Sequence, residues 1–442
     1  MLTTGLLYAG ATFAALFAGI PIAFALGSVA LLFMVLFLPS ATLGTVAQNV
    51  YQEIANITLL TIPLFILKGA AIGRSKAGAD LYGALYTWLH RVPGGLAVAN
   101  VFACALFAAM AGSSPATCSA IGSAGIPEMR RRGYSPGFAA GIIAAGGTLG
   151  ILLPPSITMI LYAVAAEQSL GRLFLAGIGP GILLTVMFSV YAVWRYRHER
   201  AAALVAGDDH AILEESSFTM RERLTALPRV LPFLVLLTGV MVALYGGFAT
   251  PGETAGLGAI LALVLVMVIY GAWRLRDLEP MLSAALREST MLLMIVGMSL
   301  LYSMTMSYLH ISQSAAAWIV AQQFSPWLLL CALLLMVVVL GFFLPPASII
   351  LMTAPIILPP LRAAGFDLVW FGVVMTIVME MGLIHPPVGL NLFVINSIAP
   401  DITFKEIIWG TLPFVGLMAL AIVLICLFPG IAVWLPNLVM NR

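Results

Sequence analysis

Residues 379–397 read MEMGLIHPPVGLNLFVINS, an otherwise apolar run that carries a glutamate, a histidine, two adjacent prolines and two asparagines. A proline removes one amide donor and clashes with the carbonyl four residues back, so the tandem pair breaks a helix and frees carbonyls near Leu383 and Ile384. Such carbonyls are costly in hydrocarbon unless something coordinates them. The stretch has a twin at 146–164, GGTLGILLPPSITMILYAV, which frees carbonyls near Ile151 and Leu152. Pro127 pairs with Pro359, Gly133 with Gly365, Gly150 with Gly382, Pro154 with Pro386 and Pro155 with Pro387, each at a spacing of 232 residues. One inserted residue later, Gly177 and Pro180 pair with Gly410 and Pro413. The chain is therefore an internal duplication.

Composition says what solvent surrounds the two copies. Of 442 residues, 62% are hydrophobic and 9% charged, with a mean hydropathy of +1.08. No soluble domain of this size covers its core with so few charges, and apolar stretches of about 20 residues recur throughout. The expected class is an all-α polytopic membrane protein, because a barrel would show short alternating strands instead. The opening segment lacks a basic n-region and an A-x-A site, and reads as a retained first helix. Cys104, Cys118, Cys331 and Cys426 lie scattered in apolar segments with no C-x-x-C spacing, as packing residues do. Nothing in the charge pattern points to nucleic acid.

The expected organisation is a first repeat over 1–195, a connecting loop over 196–228 and a second repeat over 229–442. Arg195, Arg197 and Arg200 flank one end of the loop, and Arg221, Arg223 and Arg229 the other. The positive-inside rule makes the loop cytoplasmic, together with the neighbourhoods of Arg74/Lys76, Arg130–Arg132 and Arg274/Arg276. The stretch from Tyr308 to Pro326 has no Lys or Arg and suits the outer face. Arg130, Arg131 and Arg132 follow the first unit's interrupted pair of segments, whereas Arg362, Ala363 and Ala364 follow the second. The asymmetry implies that the units face opposite sides of the membrane, the inverted-repeat plan of secondary transporters with discontinuous helices. Ten full spans plus two hairpins place both termini outside.

Each unit also contains a pair of short apolar segments, interrupted at Met110–Ser119 (MAGSSPATCS) and at Gly341–Ser348 (GFFLPPAS). These read as re-entrant hairpins, whose non-helical tips persist at depth only when buried in protein or lining a polar cavity. Gly112, Ser113, Ser114 and Thr117 offer hydroxyls, amides and carbonyls at the first tip. Thr148, Gly150 and Pro154 face them from the first break, and Gly341, Glu380, Gly382 and Pro386 make the corresponding set in the second unit. Oxygen donors of this kind suit a hard cation such as Na⁺. The restarted half-helices, at Ser156 and Val388, aim positive N-terminal ends inward and suit an anion. Substrate contacts are thus expected from Ser113, Ser114, Thr117, Ser156 and Asn391. Glu380, inside a span, is either a functional acid or a cap for backbone amides. His385 reads as a satisfied core residue, and Lys68, near the end of its span, is expected to snorkel to the interface.

From GIPIAFALG (19–27) through TIPLFIL (61–67) and the long run AGSSPATCSAIGSAGIPEMRRRGYSPGFAAGIIAAGGTLGILLPPS (111–156) to EMGLIHPPVGLNLFVI (380–395), the chain resembles the large membrane subunit of the tripartite ATP-independent periplasmic (TRAP) transporters. The resemblance implies an elevator-type ion-transporter fold, in which a domain holding both hairpins and both broken helices moves against a scaffold. It also implies Na⁺ coupling through two or more ions, and a small four-helix membrane subunit. A periplasmic substrate-binding protein would deliver an organic acid such as a C4-dicarboxylate or a sugar acid, and the location would be the bacterial inner membrane. Three positions depart from the family pattern: Ala111 stands for a common Ser, Pro345 for an acidic residue in the second tip, and His385 for a Thr. A stand-alone Na⁺-coupled symporter of divalent anions remains an alternative. An intramembrane hydrolase using Ser113 or Ser114 with His385 does not fit, since no acid is placed to orient the histidine and a hydrolase needs no twin.

Overall fold

The computed structural model describes residues 2–206, 218–314, 317, 322 and 325–440. Among these residues every regular element is a helix, as a chain whose backbone must satisfy itself in lipid requires. Five helices precede the first hairpin: α1 (Leu2–Phe17), α2 (Ile22–Phe37), α3 (Ser40–Ile54), α4 (Ile57–Gly73) and α5 (Ala77–Leu89). α6 (Gly95–Ala111) and α7 (Ser114–Arg131) form that hairpin, α8 (Pro136–Leu152) and α9 (Ile157–Ala166) the broken helix, and α10 (Leu170–Ala206) closes the unit. The second half contributes α11 (Met220–Tyr245), α12 (Pro251–Tyr270) and α13 (Leu275–Tyr308). Its hairpin is α14 (Pro326–Gly341) with α15 (Pro346–Ala363), and its broken helix is α16 (Leu368–Leu383) with α17 (Leu390–Ile398). α18 (Phe404–Leu427) and α19 (Gly430–Met440) end the chain.

The spacing of 232 residues reappears in the helix boundaries. α7 begins at Ser114 and α15 at Pro346; α7 ends at Arg131 and α15 at Ala363; α8 begins at Pro136 and α16 at Leu368. The turn after each hairpin passes through a left-handed glycine, Gly133 at φ +79° and Gly365 at φ +82°, a conformation that a side chain would disfavour. Capping follows the same plan with different chemistry. Asp367 caps α16 by accepting from the amides of Val369 (2.7 Å) and Trp370 (3.3 Å), which satisfies two of the orphan donors of a helix start. Its counterpart Ser135 makes no such cap and instead donates its hydroxyl to Glu199 at 2.6 Å.

The two units interlock. α7 packs on α17 and α15 on α9, so each hairpin's second arm rests on the restarted half-helix of the other unit. The long helices cross over as well, α18 onto α8 and α10 onto α16. Glycine makes the first of these crossings close: a Cβ on Gly410 would strike the Gly137 carbonyl, and one on Gly141 would strike the Gly410 carbonyl. Gly137 and Gly141 lie four residues apart on one face of α8, the small-xxx-small spacing by which membrane helices bring their backbones together.

Two expectations change. α10 does not stop at the membrane but continues through 196–206, because Arg195 pairs with Glu199 at 2.9 Å one turn on and Glu199 reaches back to Ser135. α11 begins at Met220, so the connecting stretch is shorter than 196–228, and 207–217 lie outside the described residues. The span over 137–166 is broken where the prolines stand, α8 and α9 meeting at 41°. Among the described residues, five helices are individually long and apolar enough to cross a bilayer, or up to eight if each bent pair is one span, against the ten full spans expected. The shorter apolar helices of 10–17 residues include α6, α14 and α16.

The α8–α18 contact gives a direct test of the packing. Gly410→Leu should destabilise the protein by about 1–3 kcal/mol through overpacking, read as a lower melting temperature in detergent. Gly416→Leu, where a Cβ meets nothing within 4 Å, should leave the melting temperature unchanged. Equal effects of the two would refute the backbone contact.

Candidate functional site

Each hairpin tip abuts a helix break. In the first unit Gly112 turns through φ +66°, and a Cβ there would stand 2.7 Å from the Pro155 carbonyl. A Cβ on Gly150 would stand 2.7 Å from the Ser113 carbonyl. Tip and break therefore meet backbone to backbone, which only glycine on each side permits. In the second unit Gly382 stands against the Gly341 carbonyl, and the Val388 amide donates to Phe342 at 3.3 Å. Pro154 and Pro386 each precede a second proline at these breaks.

Between the tips and breaks lies a buried polar cluster. Ser114, Thr117, Thr148, Ser156, Glu380 and Asn391 are all 1% exposed or less. Asn391, on α17 of the second unit, donates from Nδ2 to the Ser114 hydroxyl at 2.8 Å and to the Ala144 carbonyl at 3.2 Å. One amide thereby joins the second half-helix to the first hairpin and the first broken helix. The Glu380 carboxyl lies beside the same Ser114 hydroxyl, yet neither of its oxygens is within hydrogen-bonding geometry of a partner, nor is Asn391 Oδ1. Three buried acceptor atoms on the two residues that meet Ser114 are thus without a hydrogen bond of good geometry. Unpaired burial of this kind is costly, and the donor set is all oxygen, the chemistry a hard monovalent cation takes. Among the described residues no three His, Cys, Asp or Glu side chains converge.

The other expected residues divide. Thr117 donates its hydroxyl to the Ser113 carbonyl at 2.8 Å and Thr148 to the Ala145 carbonyl at 2.6 Å, so each retains only acceptor capacity for a ligand. Ser156 caps α9 by accepting from the Met159 amide at 3.3 Å, which places it at a half-helix N-terminus as expected. Ser113 is half-buried at the tip and makes no side-chain cap. Gly341, Gly382 and Pro386 gather at the second break, but Glu380, expected to serve that break, turns to Ser114 of the first unit. Thr148 is its counterpart at the 232-residue spacing, so the acid replaces a hydroxyl in the paired position.

His385 is a supported residue: Nδ1 donates to the Pro386 carbonyl at 2.6 Å, and the ring stacks on Phe342 with centroids 4.9 Å apart. Lys68 overturns its expectation. It is 3% exposed and does not reach the interface. Its Nζ lies 5.2 Å from the Phe65 ring centroid, and its stem fills the space above Gly258 of α12. The close packing of α12 on α4 covers it, and the cation–π contact partly replaces lost hydration. Two polar residues went unnoticed in the sequence. Asn100 is buried with Oδ1 unpartnered, and Ser348 is buried near the second tip with its hydroxyl unpartnered. Asn100 sits in an apolar helix with no proline nearby, so only its polarity marked it.

A family model described as "Tripartite ATP-independent periplasmic transporter, DctM component" matches residues 9–431. The chain belongs to the DctM family. It is 35% identical to the C4-dicarboxylate TRAP transporter large permease protein DctM of Pseudomonas aeruginosa, covering 93% of each chain. Identity to the protein of the same description from Rhodobacter capsulatus is 34%, over 98% of this chain and 99% of that one. The crystal structure of the Alcanivorax borkumensis YdaH transporter superposes with a TM-score of 0.65 over 96% of this chain and 99% of that one, at 15% identity; that likeness concerns the fold. Membership makes the chain a multi-pass membrane permease, one component of a three-part periplasmic uptake system. Transport, not catalysis, is the business of its relatives.

The Asn391–Ser114 bond is testable by a double-mutant cycle. Asn391→Ala and Ser114→Ala should each lower stability by about 1–3 kcal/mol, since each strands a buried polar group. The double variant should fall short of their sum by at least about 0.5 kcal/mol. Strict additivity of the melting shifts would mean that the two units do not meet here.

Proposed function

We propose that the chain is the large permease of a Na⁺-coupled importer of an organic acid, with the buried cluster around Glu380 as one of its cation sites. The observation that carries this reading is the set of three unpartnered acceptor oxygens on Glu380 and Asn391 around Ser114. Na⁺ bound there supplies positive charge to a carboxylate that otherwise lies in a low-dielectric interior without a partner. Ser114, Asn391 and Glu380 hold that ion. Ser113, Gly112, Thr148 and Gly150, with Pro154, border a second oxygen-rich junction at the first tip, and Gly341, Gly382 and Pro386 border its twin. The substrate carboxylate goes to the half-helix N-terminus at Ser156, with Ser113 and Thr117 close in sequence at the facing tip. The C4-dicarboxylate named for the relatives is the first substrate to try. A periplasmic substrate-binding protein and a small four-helix membrane subunit complete the system, and the hairpin-bearing core moves as an elevator against the scaffold helices.

The direct measurement is uptake of a radiolabelled C4-dicarboxylate by proteoliposomes carrying both membrane subunits, with the binding protein encoded beside this chain. Uptake should require an inward Na⁺ gradient, and Ser113→Pro should abolish it while leaving membrane insertion intact. Glu380→Gln at equal reconstituted amount should raise the half-saturating Na⁺ concentration several-fold. If half-saturation and steepness stay as in the parent protein, Glu380 is a structural residue and the ion assignment to it fails.

The orientation belongs to the same proposal: an inverted repeat with both termini periplasmic and the 196–228 region cytoplasmic. A Met220→Cys variant, at an exposed position, should resist an impermeant thiol reagent in intact cells and react after permeabilisation. Labelling in intact cells would reverse the topology.

A further inference from the structure

Where α4 ends and α12 gives way to α13, the structure holds a cavity of about 740 Å³ that the transport reading does not use. Arg74 and Lys76 enter it from the α4–α5 turn, and Arg276 from the start of α13. None of the three forms an ion pair or a side-chain hydrogen bond among the described residues. Two carboxylates share the cavity and both are engaged. Asp80 accepts from the Tyr270 hydroxyl at 3.0 Å, and Asp277 accepts from the Arg274 amide at 3.3 Å, completing the cap of α13. The lining thus carries three cations against two carboxylates and keeps a net positive charge. The inner wall is apolar, formed by Val266, Ile269 and Met281. Trp273 stands next to the cavity at 64% exposure, as tryptophans do at the headgroup level of a bilayer.

We propose that this cavity binds the phosphodiester headgroup of an anionic phospholipid. Three cations converging on one opening match a phosphate, with two arginines able to engage its oxygens in bidentate fashion. Basic pockets between membrane helices at an interface hold acidic lipid headgroups on the same principle. A free phosphate shares the headgroup chemistry but has no use for the apolar residues Val266, Ile269 and Met281, against which a lipid's acyl chain would pack. The bound lipid bridges the ends of α4 and α12, two helices that pack along each other. Since α4 also touches the first hairpin tip, where Gly69 stands against the Ala111 carbonyl, the lipid braces the helix against which that tip rests. The site is independent of which ion or substrate the permease carries.

Native mass spectrometry of the detergent-purified chain, titrated with dioleoyl phosphatidylglycerol or dioleoyl phosphatidylcholine, reads the site directly. Phosphatidylglycerol should bind at least tenfold more tightly than phosphatidylcholine, and excess inorganic phosphate should not displace it. Each cation removed should weaken phosphatidylglycerol binding about fivefold, so the variant carrying Arg74→Gln, Lys76→Gln and Arg276→Gln should lose it by on the order of a hundredfold. Arg74→Gln and Arg276→Gln, tested singly from opposite walls, give the same reading if the triple variant fails to fold. A control with Arg197→Gln, Arg200→Gln and Arg221→Gln removes equal charge elsewhere and should bind as the parent does. Undiminished binding in both single variants, or equal loss in the control, overturns the site. Displacement by inorganic phosphate alone overturns the lipid assignment.

Discussion

Backbone that leaves its helix inside a bilayer has no water to turn to, and that constraint governs this protein. The tandem prolines at 154–155 and 386–387 interrupt two helices at depth, and each interruption exposes carbonyls and amides that the helix can no longer pair. The protein meets the need by bringing a second interruption to the first. A hairpin tip stands against each break, and glycines at the contacts let backbone approach backbone. Gly112 beside Pro155 and Gly382 beside Gly341 are the clearest cases. The rest of the fold brings these pairs into register: α7 lies on α17, α15 on α9, and α8 close against α18.

This solution leaves a polar interior that is incompletely satisfied, and the incompleteness carries the functional argument. Ser114 takes a hydrogen bond from Asn391, but the oxygens of Glu380 and the remaining oxygen of Asn391 have no donors. A stable apolar bundle would have no reason to bury such a set, whereas a cation site needs oxygens held ready. Because Asn391 and Glu380 belong to one unit and Ser114 to the other, the proposed ion would bridge both halves of the duplication.

The scaffold side follows other rules. Lys68 lies buried between α4 and α12 against the Phe65 ring. At the end of the same helix pair, Arg74, Lys76 and Arg276 line an open cavity. Outside the spans, ordinary electrostatics set the helix ends. Arg130 at the end of α7 pairs with Asp401 beyond α17, and the arginine holds that carboxyl below the usual carboxylate range. Thr403 and Glu406 form a capping box at the start of α18. Such exposed contacts orient turns and contribute little stability.

The duplication, the membrane class and the locations of both breaks were legible in the sequence, because proline and glycine act locally and their spacing survives as a count of residues. The polar interruptions at the hairpin turns could be read for the same reason, although α15, expected to be too short, is long and apolar enough to cross a bilayer. The resemblance of 111–156 and 380–395 to a transporter family was equally a matter of order along the chain, and the family match agrees with it. Tertiary structure alone decided which side chains meet. The direction of Glu380, toward Ser114 of the other unit and not toward its own break, depends on how two units 232 residues apart interlock, and no local pattern encodes that rotation. Lys68 fails to snorkel because a glycine on α12, far along the chain, leaves room for its stem. The extension of α10 past Arg195 follows from Glu199 reaching Ser135, a contact over 64 residues. Local stereochemistry can be read from one strand of text, but the pairing of buried polar groups is settled only when distant helices share one interior.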